Sequence, residues 1–253
     1  MRRFSTAERI VRSNFVIYRM VRSVAPLICR WVSLEEGFDF LRLISFTPSA
    51  QVLDVGANDG TSIRMILRLA PGARISSFDP VQLPNFKHKL VSFHDFALGD
   101  KSGEIEISTP IVRGVKLSQY SSTFKDLMIK QLEHDLLLDA DKISIETRVF
   151  KVMKLDDLSL TPFFMKVDVE GAEHEVILGS VETIKRNLPI ILIEIQNQIQ
   201  YNRLHLLLKP LGYFSVNLDL TSSSVISESG YTNEYNNYIW ISRDPSPNWS
   251  FKL

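Results

Sequence analysis

The sequence predicts an α/β fold, a doubly wound parallel sheet of seven strands with helices on both faces, preceded by an N-terminal helical extension. Three observations carry this. From residue 51 onward short apolar runs alternate with amphipathic segments, the pattern of strand–helix units laid side by side. The first run, "QVLDV", passes straight into a glycine-containing turn and a helical pattern. The last two runs, "YFSVNL" and "NNYIWISR", are separated by a polar loop and read as a closing antiparallel pair.

With 253 residues, 45% of them hydrophobic, the chain is long enough for one large core with an appendage. Its 29 basic and 29 acidic residues cancel, so there is no overall field to gather nucleic acid, and none is expected as a partner. The lone Cys29 excludes an intramolecular disulfide and a thiolate zinc cluster, in keeping with a reducing cytoplasm. No apolar run approaches the roughly 20 residues of a membrane-spanning helix.

Residues 1–48 are read as the helical extension. Up to Arg30 there are seven arginines against one acid, Glu8. Ile10, Phe15, Ile17, Val21 and Val24 recur among them at helical spacing, which gives a basic amphipathic helix. Arg12, Arg19 and Arg22 interrupt any secretory signal core. The favoured reading is a helix packed on the main domain or on a second copy in a homo-oligomer; the alternative is a peripheral contact with the inner membrane face or an anionic glycolipid. Leu27, Trp31, Leu34, Phe38 and Leu41 continue the helical spacing until Thr47-Pro48 ends it.

Residues 49–253 form the predicted main domain. After "QVLDV" come the helix "TSIRMILRLA", the strand "RISSF", a short helix ending near Lys89, and the strand "LVSFHDF". "ALGDKSGEIEIS" gives two extended pieces around a turn at Asp100 to Gly103. The pattern loosens at 109–142, a Ser-rich variable insertion with a helix around "FKDLMIKQLEHDLLL", and is read as a lid on the acceptor side. "SIETRVFKV", "FFMKVDV" and "PIILIEI" are the next strands; "AEHEVILGSVETIKRN" and a segment running to Lys209 are the next helices.

The turn "VGANDGTS" lies where the carboxyl end of a strand meets a helix, the place at which open α/β sheets bind nucleotide-like ligands. A dinucleotide and S-adenosylmethionine are the two candidates. Asn58 occupies the position where the dinucleotide fingerprint has its second glycine, and its side chain obstructs close approach by a pyrophosphate. Asp54 and Asp59 would repel that pyrophosphate but favour a ligand with a sulfonium and an ammonium. The cofactor would then lie against Asp54, Gly56, Ala57, Asn58, Gly60, Thr61 and Ser62; Asp79 and Pro80 end the second strand, where a carboxylate can hold a ribose diol, and Asp95, Phe96 and Ala97 end the third, near the adenine edge.

"DVGANDGTS", "FDP", "ALGDKSG", "SSTF", "KLDDL", "MKVDVEGAEHEVILG" and "IILIEI" together resemble, in order and interval, the FkbM-type S-adenosylmethionine-dependent methyltransferases. The resemblance covers roughly residues 51–196 and implies a class I methyltransferase fold, Rossmann-like, and O-methylation of a hydroxyl on a sugar, glycolipid or related secondary metabolite. One departure is Asp79, where the family more often has glutamate. The resemblance also points to Ser121 and Ser122 as acceptor-binding residues within the insertion.

Methyl transfer to a hydroxyl requires alignment of oxygen and methyl carbon and a group to take the proton. Alternation along "MKVDVE" puts Lys166 and Asp168 on one strand face, with Asp168 at the carboxyl edge as the expected catalytic residue. Glu170 and His174, four apart, form a candidate acid–base pair, while Glu173 and Glu175 are read as helix surface. Glu194 ends the neighbouring strand and is read as substrate-binding. Asp168 and Glu194 could together hold a divalent ion such as magnesium, the less favoured option because no third ligand is evident beyond Gln196 or Asn197. The competing functions are a nicotinamide-dependent oxidoreductase and a non-catalytic S-adenosylmethionine-binding subunit.

Overall fold

The structure is a computed structural model and describes residues 37–47, 50–136, 142–219, 224–228, 230–232, 236–244 and 246–252. The basic helix expected within residues 1–36 lies outside the described residues.

The strands and helices that build the site are β1 (Ile44–Phe46), β2 (Gln51–Val55), α1 (Thr61–Leu69), β3 (Arg74–Phe78), β4 (Val91–His94), β5 (Ala97–Leu98), β6 (Gly103–Val112), β7 (Val115–Lys116), α2 (Lys125–Leu136), β8 (Ile143–Met153) and β9 (Pro162–Val167). They are followed by α3 (Glu173–Leu178), α4 (Val181–Asn187), β10 (Ile190–Glu194), α5 (Gln198–Leu208), β11 (Tyr213–Asp219), β12 (Ser224–Glu228), β13 (Asn237–Ser242) and β14 (Trp249–Phe251).

The main sheet has the order β12-β11-β13-β10-β9-β2-β3-β4. β10, β9, β2, β3 and β4 pair in parallel, and β13 and β11 close the far side antiparallel, as the sequence predicts. Among the described residues the sheet has eight strands, however, not seven. The eighth, β12, comes from the Ser-rich stretch read as a loop and pairs antiparallel with β11 at the edge. An edge strand needs only one neighbour, so it forms with little apolar content to announce it.

Alternation along the central strands sends side chains into two cores. Val52, Phe164 and Leu192 face one side, with Phe38, Phe40, Ile63 and Ile66. Leu53, Met165 and Ile193 face the other, with Ile177, Ile184, Leu204 and Trp240. Coverage on both faces explains why these strands read as continuous apolar runs.

Three further expectations are corrected. The helix expected through Phe38 to Phe46 is a 3₁₀ turn at Phe38–Leu43 followed by β1, because Ile44 to Phe46 pair with Trp249 to Phe251. The short helix expected to end near Lys89 does not form: residues 79–90 are irregular, and Pro80 and Pro84 remove backbone donors there. The single helix expected from Ala172 to Asn187 is two, α3 and α4. A Cβ on Gly179 would lie 1.8 Å from the Gly99 carbonyl oxygen, so the chain packs backbone to backbone at the break. Asp156 accepts from Glu182 N at 3.1 Å and Thr183 N at 2.8 Å and so caps the start of α4.

The described part of the insertion holds the end of β6, β7 and α2, and it joins a sheet that extends beyond it on either side. β5, β8, β6 and β7 form a second sheet, and α2 packs on it through Met128, Leu132 and Leu136 against Val112, Leu117 and Tyr120.

Candidate functional site

A cleft of about 630 Å³ opens at the carboxyl edge of β2, β3, β9 and β10, between the main sheet and the insertion. One wall is the turn after β2. Gly56 adopts φ 83°, and a Cβ there would meet the Asp168 carbonyl oxygen at 1.7 Å, so only glycine lets the turn and the end of β9 touch. Asn58 adopts φ 44°, a left-handed geometry that asparagine tolerates. Gly56, Ala57, Asn58, Asp59, Thr61 and Ser62 line the cleft.

Asp54 and Gly60 stand behind this wall rather than on it. Asp54 is fully buried and accepts from Ser62 Oγ at 2.8 Å. Burial pushes its carboxyl above the ordinary range, and the Lys166 charge, 3.8 Å away, opposes the rise. Asp79 lines the cleft with Pro80. Its carboxylate accepts from Asn58 N, Val81 N and Gln82 N, each at 2.9 Å, and so sets the shape of the glycine turn. Burial raises this carboxyl too, against those three donors. Of the residues expected at the adenine edge, Ala97 lines the cleft; Asp95 and Phe96 do not, and Phe96 packs edge-on to Phe78.

The opposite wall carries carboxylates. Asp168, Glu170 and Glu194 bring oxygens within 4.8 Å of one another. Asp168 Oδ2 lies 3.1 Å from Lys166 Nζ, which also donates to the Gly56 carbonyl oxygen at 2.7 Å. Glu170 sits at φ 55° on the turn after β9, which turns its side chain into the cleft, where Gln131 Nε2 and Gln196 Nε2 donate to Oε2 at 3.0 and 3.2 Å. The carboxyl of Glu194 is held well above the usual range, by burial first and then by the charges of Asp168 and Glu170. A set of three carboxylates is a hard oxygen donor set of the kind magnesium accepts, and Glu170 brings a third carboxylate beside Asp168 and Glu194.

Two expected roles are redistributed. His174 does not face Glu170: its Nδ1 lies 3.2 Å from Arg203 Nη2 and 3.6 Å from Glu175 Oε1, outside the cleft. The four-residue spacing would align the pair only inside one helix, and α3 begins after Glu170. Glu173, expected on the helix surface, is 1% exposed. Ser121 lines the cleft with its hydroxyl bonded to Thr109 Oγ1 at 2.8 Å, whereas Ser122 Oγ donates to the Glu170 carbonyl oxygen at 2.7 Å and accepts from Phe124 N at 3.0 Å. Ser118 Oγ donates to Asn58 Oδ1 at 3.0 Å, so the insertion touches both walls. Sequence reasoning did not find Gln131 or Ser118, because neither belongs to a motif.

The domain model of the methyltransferase FkbM domain matches residues 54–215, the span that holds both walls of the cleft. The chain belongs to this methyltransferase FkbM family. The FkbM resemblance read from the motifs therefore holds. The chain is 27% identical over 152 residues to the 2-O-methyltransferase NoeI of Sinorhizobium fredii (strain NBRC 101917 / NGR234), a match covering 55% of this chain and 60% of that protein. It thus spans less than two thirds of that relative's length. The crystal structure of methyltransferase FkbM from Methylobacillus flagellatus KT aligns with 94% of this chain and 56% of its own, at 14% identity and a TM-score of 0.46.

Proposed function

We propose that the protein is an S-adenosylmethionine-dependent O-methyltransferase that acts on a hydroxyl of a glycan, glycolipid or related secondary metabolite. The reading is carried by one observation: a glycine turn flanked by acidic side chains faces a group of carboxylates across a single cleft. Asp59 and Asp79 on the turn side suit a sulfonium and a ribose diol and oppose a pyrophosphate. The relative named a 2-O-methyltransferase supports oxygen as the acceptor atom.

When bound, the cofactor supplies an electrophilic methyl group. The residues that would hold it are Gly56, Ala57, Asn58, Asp79 and Ala97, which line one end of the cleft. At the other end Asp168 would take the proton of the acceptor hydroxyl. Lys166, 3.1 Å away and 4% exposed, holds that carboxylate in place. Glu194 and Glu170 can accept hydrogen bonds from neighbouring hydroxyls, which suits a polyhydroxylated acceptor. The insertion is tied to both walls by Ser118 and Ser122, which suits a role in covering a bound acceptor.

The three converging carboxylates favour a second reading, in which Asp168, Glu170 and Glu194 hold a divalent ion such as magnesium that orients the acceptor and eases its deprotonation. Turnover lost to a chelator and recovered with magnesium would select this reading over the metal-free one. Calorimetric titration with S-adenosylhomocysteine and with NAD tests the proposal itself: micromolar-range binding of the first and none of the second is expected, and the reverse would sink it.

A further inference from the structure

Glu173 heads α3 yet lies under the turn that carries the catalytic carboxylates, with no path to solvent through its 1% exposure. Its Oε1 accepts from Val169 N at 3.0 Å and from Gly171 N at 3.1 Å. Its Oε2 accepts from Gln200 Nε2 on α5. The other end of that same amide, Gln200 Oε1, accepts from Gln196 N at 2.8 Å, and Gln196 Nε2 donates to Glu170 Oε2. Hydrogen bonds therefore link Glu173 through Gln200 to the backbone N–H of Gln196, whose own side chain carries the link on to the carboxylate of Glu170.

The turn needs such a hold. Glu170 and Gly171 take φ 55° and 110° in succession, and a left-handed glutamate persists only where its surroundings fix it. The two N–H groups bound by Glu173 flank Glu170 on either side.

We propose that Glu173 is the positioning residue of the acceptor site: its two carboxyl oxygens fix the turn at 168–171 and, through Gln200 and Gln196, the orientation of the Glu170 carboxylate. Three donors converge on two oxygens, which a carboxylate satisfies and an amide does not. In Glu173→Gln the amide oxygen can stay on Val169 N and Gly171 N, but its NH₂ then faces the NH₂ of Gln200. If Gln200 turns over to accept, it presents its NH₂ to the Gln196 N–H, so the mismatch travels toward Glu170. The double exchange Glu173→Gln/Gln200→Glu removes the conflict. The amide at 173 keeps its oxygen on the turn and donates to the carboxylate at 200, whose second oxygen accepts from Gln196 N.

The test compares the full-length wild type, Glu173→Gln and the double exchange at about pH 8 by hydrogen exchange, by the ¹⁵N-glutamine side-chain amide signals, and by S-adenosylhomocysteine titration. In the single variant the Val169 and Gly171 amides should exchange about tenfold faster or more. The Gln196 side-chain signal should move, while S-adenosylhomocysteine affinity stays within about threefold, since the glycine turn is not part of this network. The double exchange should return both signatures to wild type. A merely structural carboxylate would leave the Gln196 signal in place. Unchanged exchange and an unchanged Gln196 signal in the single variant, or a double exchange no nearer wild type than the single, would overturn the proposal. If the single variant does not fold, the double exchange must still fold and exchange as wild type; its failure to do so would also overturn it. The catalytic meaning rests on the methyl-transfer reading of the cleft. Wild type that does not bind S-adenosylhomocysteine would remove that reading and leave the network result standing.

Discussion

Lys166 Nζ lies 3.1 Å from Asp168 Oδ2, two residues along one strand face, and the pair joins the two walls of the cleft because the same ammonium donates to the Gly56 carbonyl oxygen at 2.7 Å. It also offsets the buried charge of Asp54 from 3.8 Å. One buried cation thus couples the glycine turn after β2 to the carboxylate at the end of β9.

Asp168→Asn keeps the size of the side chain and removes the carboxylate proposed to take the acceptor's proton. Turnover should fall by about 10²-fold or more. Affinity for S-adenosylhomocysteine should change only a few-fold, as calorimetry can read. Turnover at the wild-type rate would move the base elsewhere and reopen the non-catalytic reading.

Lys166→Met leaves Asp54 buried without its counter-charge and frees the Gly56 carbonyl. Removing one member of a buried pair costs about 3–5 kcal/mol. Chemical denaturation should show a loss of that size, and S-adenosylhomocysteine binding should weaken with it.

Gly56→Ala places a methyl group 1.7 Å from the Asp168 carbonyl oxygen at a backbone φ of 83°. The contact is with backbone, so relief requires β2 and β9 to separate at their ends. Cofactor binding should be lost, with a fall in melting temperature; an alanine variant that binds S-adenosylhomocysteine normally would show that the turn is not held against β9.

Ser122→Ala removes the donor to the Glu170 carbonyl oxygen and the acceptor for Phe124 N at a site only 3% exposed. Leaving such groups unsatisfied costs about 1–3 kcal/mol. Thermal unfolding should register it, and the KM for acceptor should rise more than that for cofactor.

The pH dependence of stability follows from Glu173, whose carboxyl is pushed up to about 7 by burial, against the donors at Gly171 and Val169. An acid raised in the folded state favours the protonated form there, so its contribution is fully present below the unfolded value near 4.5 and is lost as pH rises through about 7. Unfolding free energy should therefore decline across that window by up to about 3 kcal/mol. Glu173→Gln, which cannot titrate, should make the slope shallower, the raised carboxyls of Asp54, Asp79 and Glu194 supplying the remainder; an unchanged slope would assign it to those groups alone.

Much of this arrangement is legible in the sequence for physical reasons. Strands β2, β9 and β10 are buried on both faces and must be apolar, so they stand out, and the turn geometry at Gly56 demands glycine. Asp168 and Glu194 are legible because strand ends in an open α/β sheet meet at one edge. The turn at 168–171 is not. Nothing in "DVEGAEHEV" says that Glu170 turns left-handed, that His174 therefore leaves the cleft, or that Glu173 goes under the turn instead of onto the surface. Those facts depend on donors supplied by Gln200 and Gln131, distant in sequence and outside any motif. Lys166 is intermediate: a lysine inside "FFMKVDV" must be paired to be buried, but its third partner, a carbonyl oxygen, leaves no trace in composition.

Gln131 on α2 and Gln196 beyond β10 donate to the same oxygen of Glu170, so the insertion and the main sheet share one acceptor. The insertion is therefore not an interchangeable module. A chimaera that grafts a foreign segment over 109–142 takes away the Gln131 hydrogen bond to that oxygen. Grafts that carry a glutamine at the position of Gln131 should keep turnover, and those that do not should need a compensating donor elsewhere.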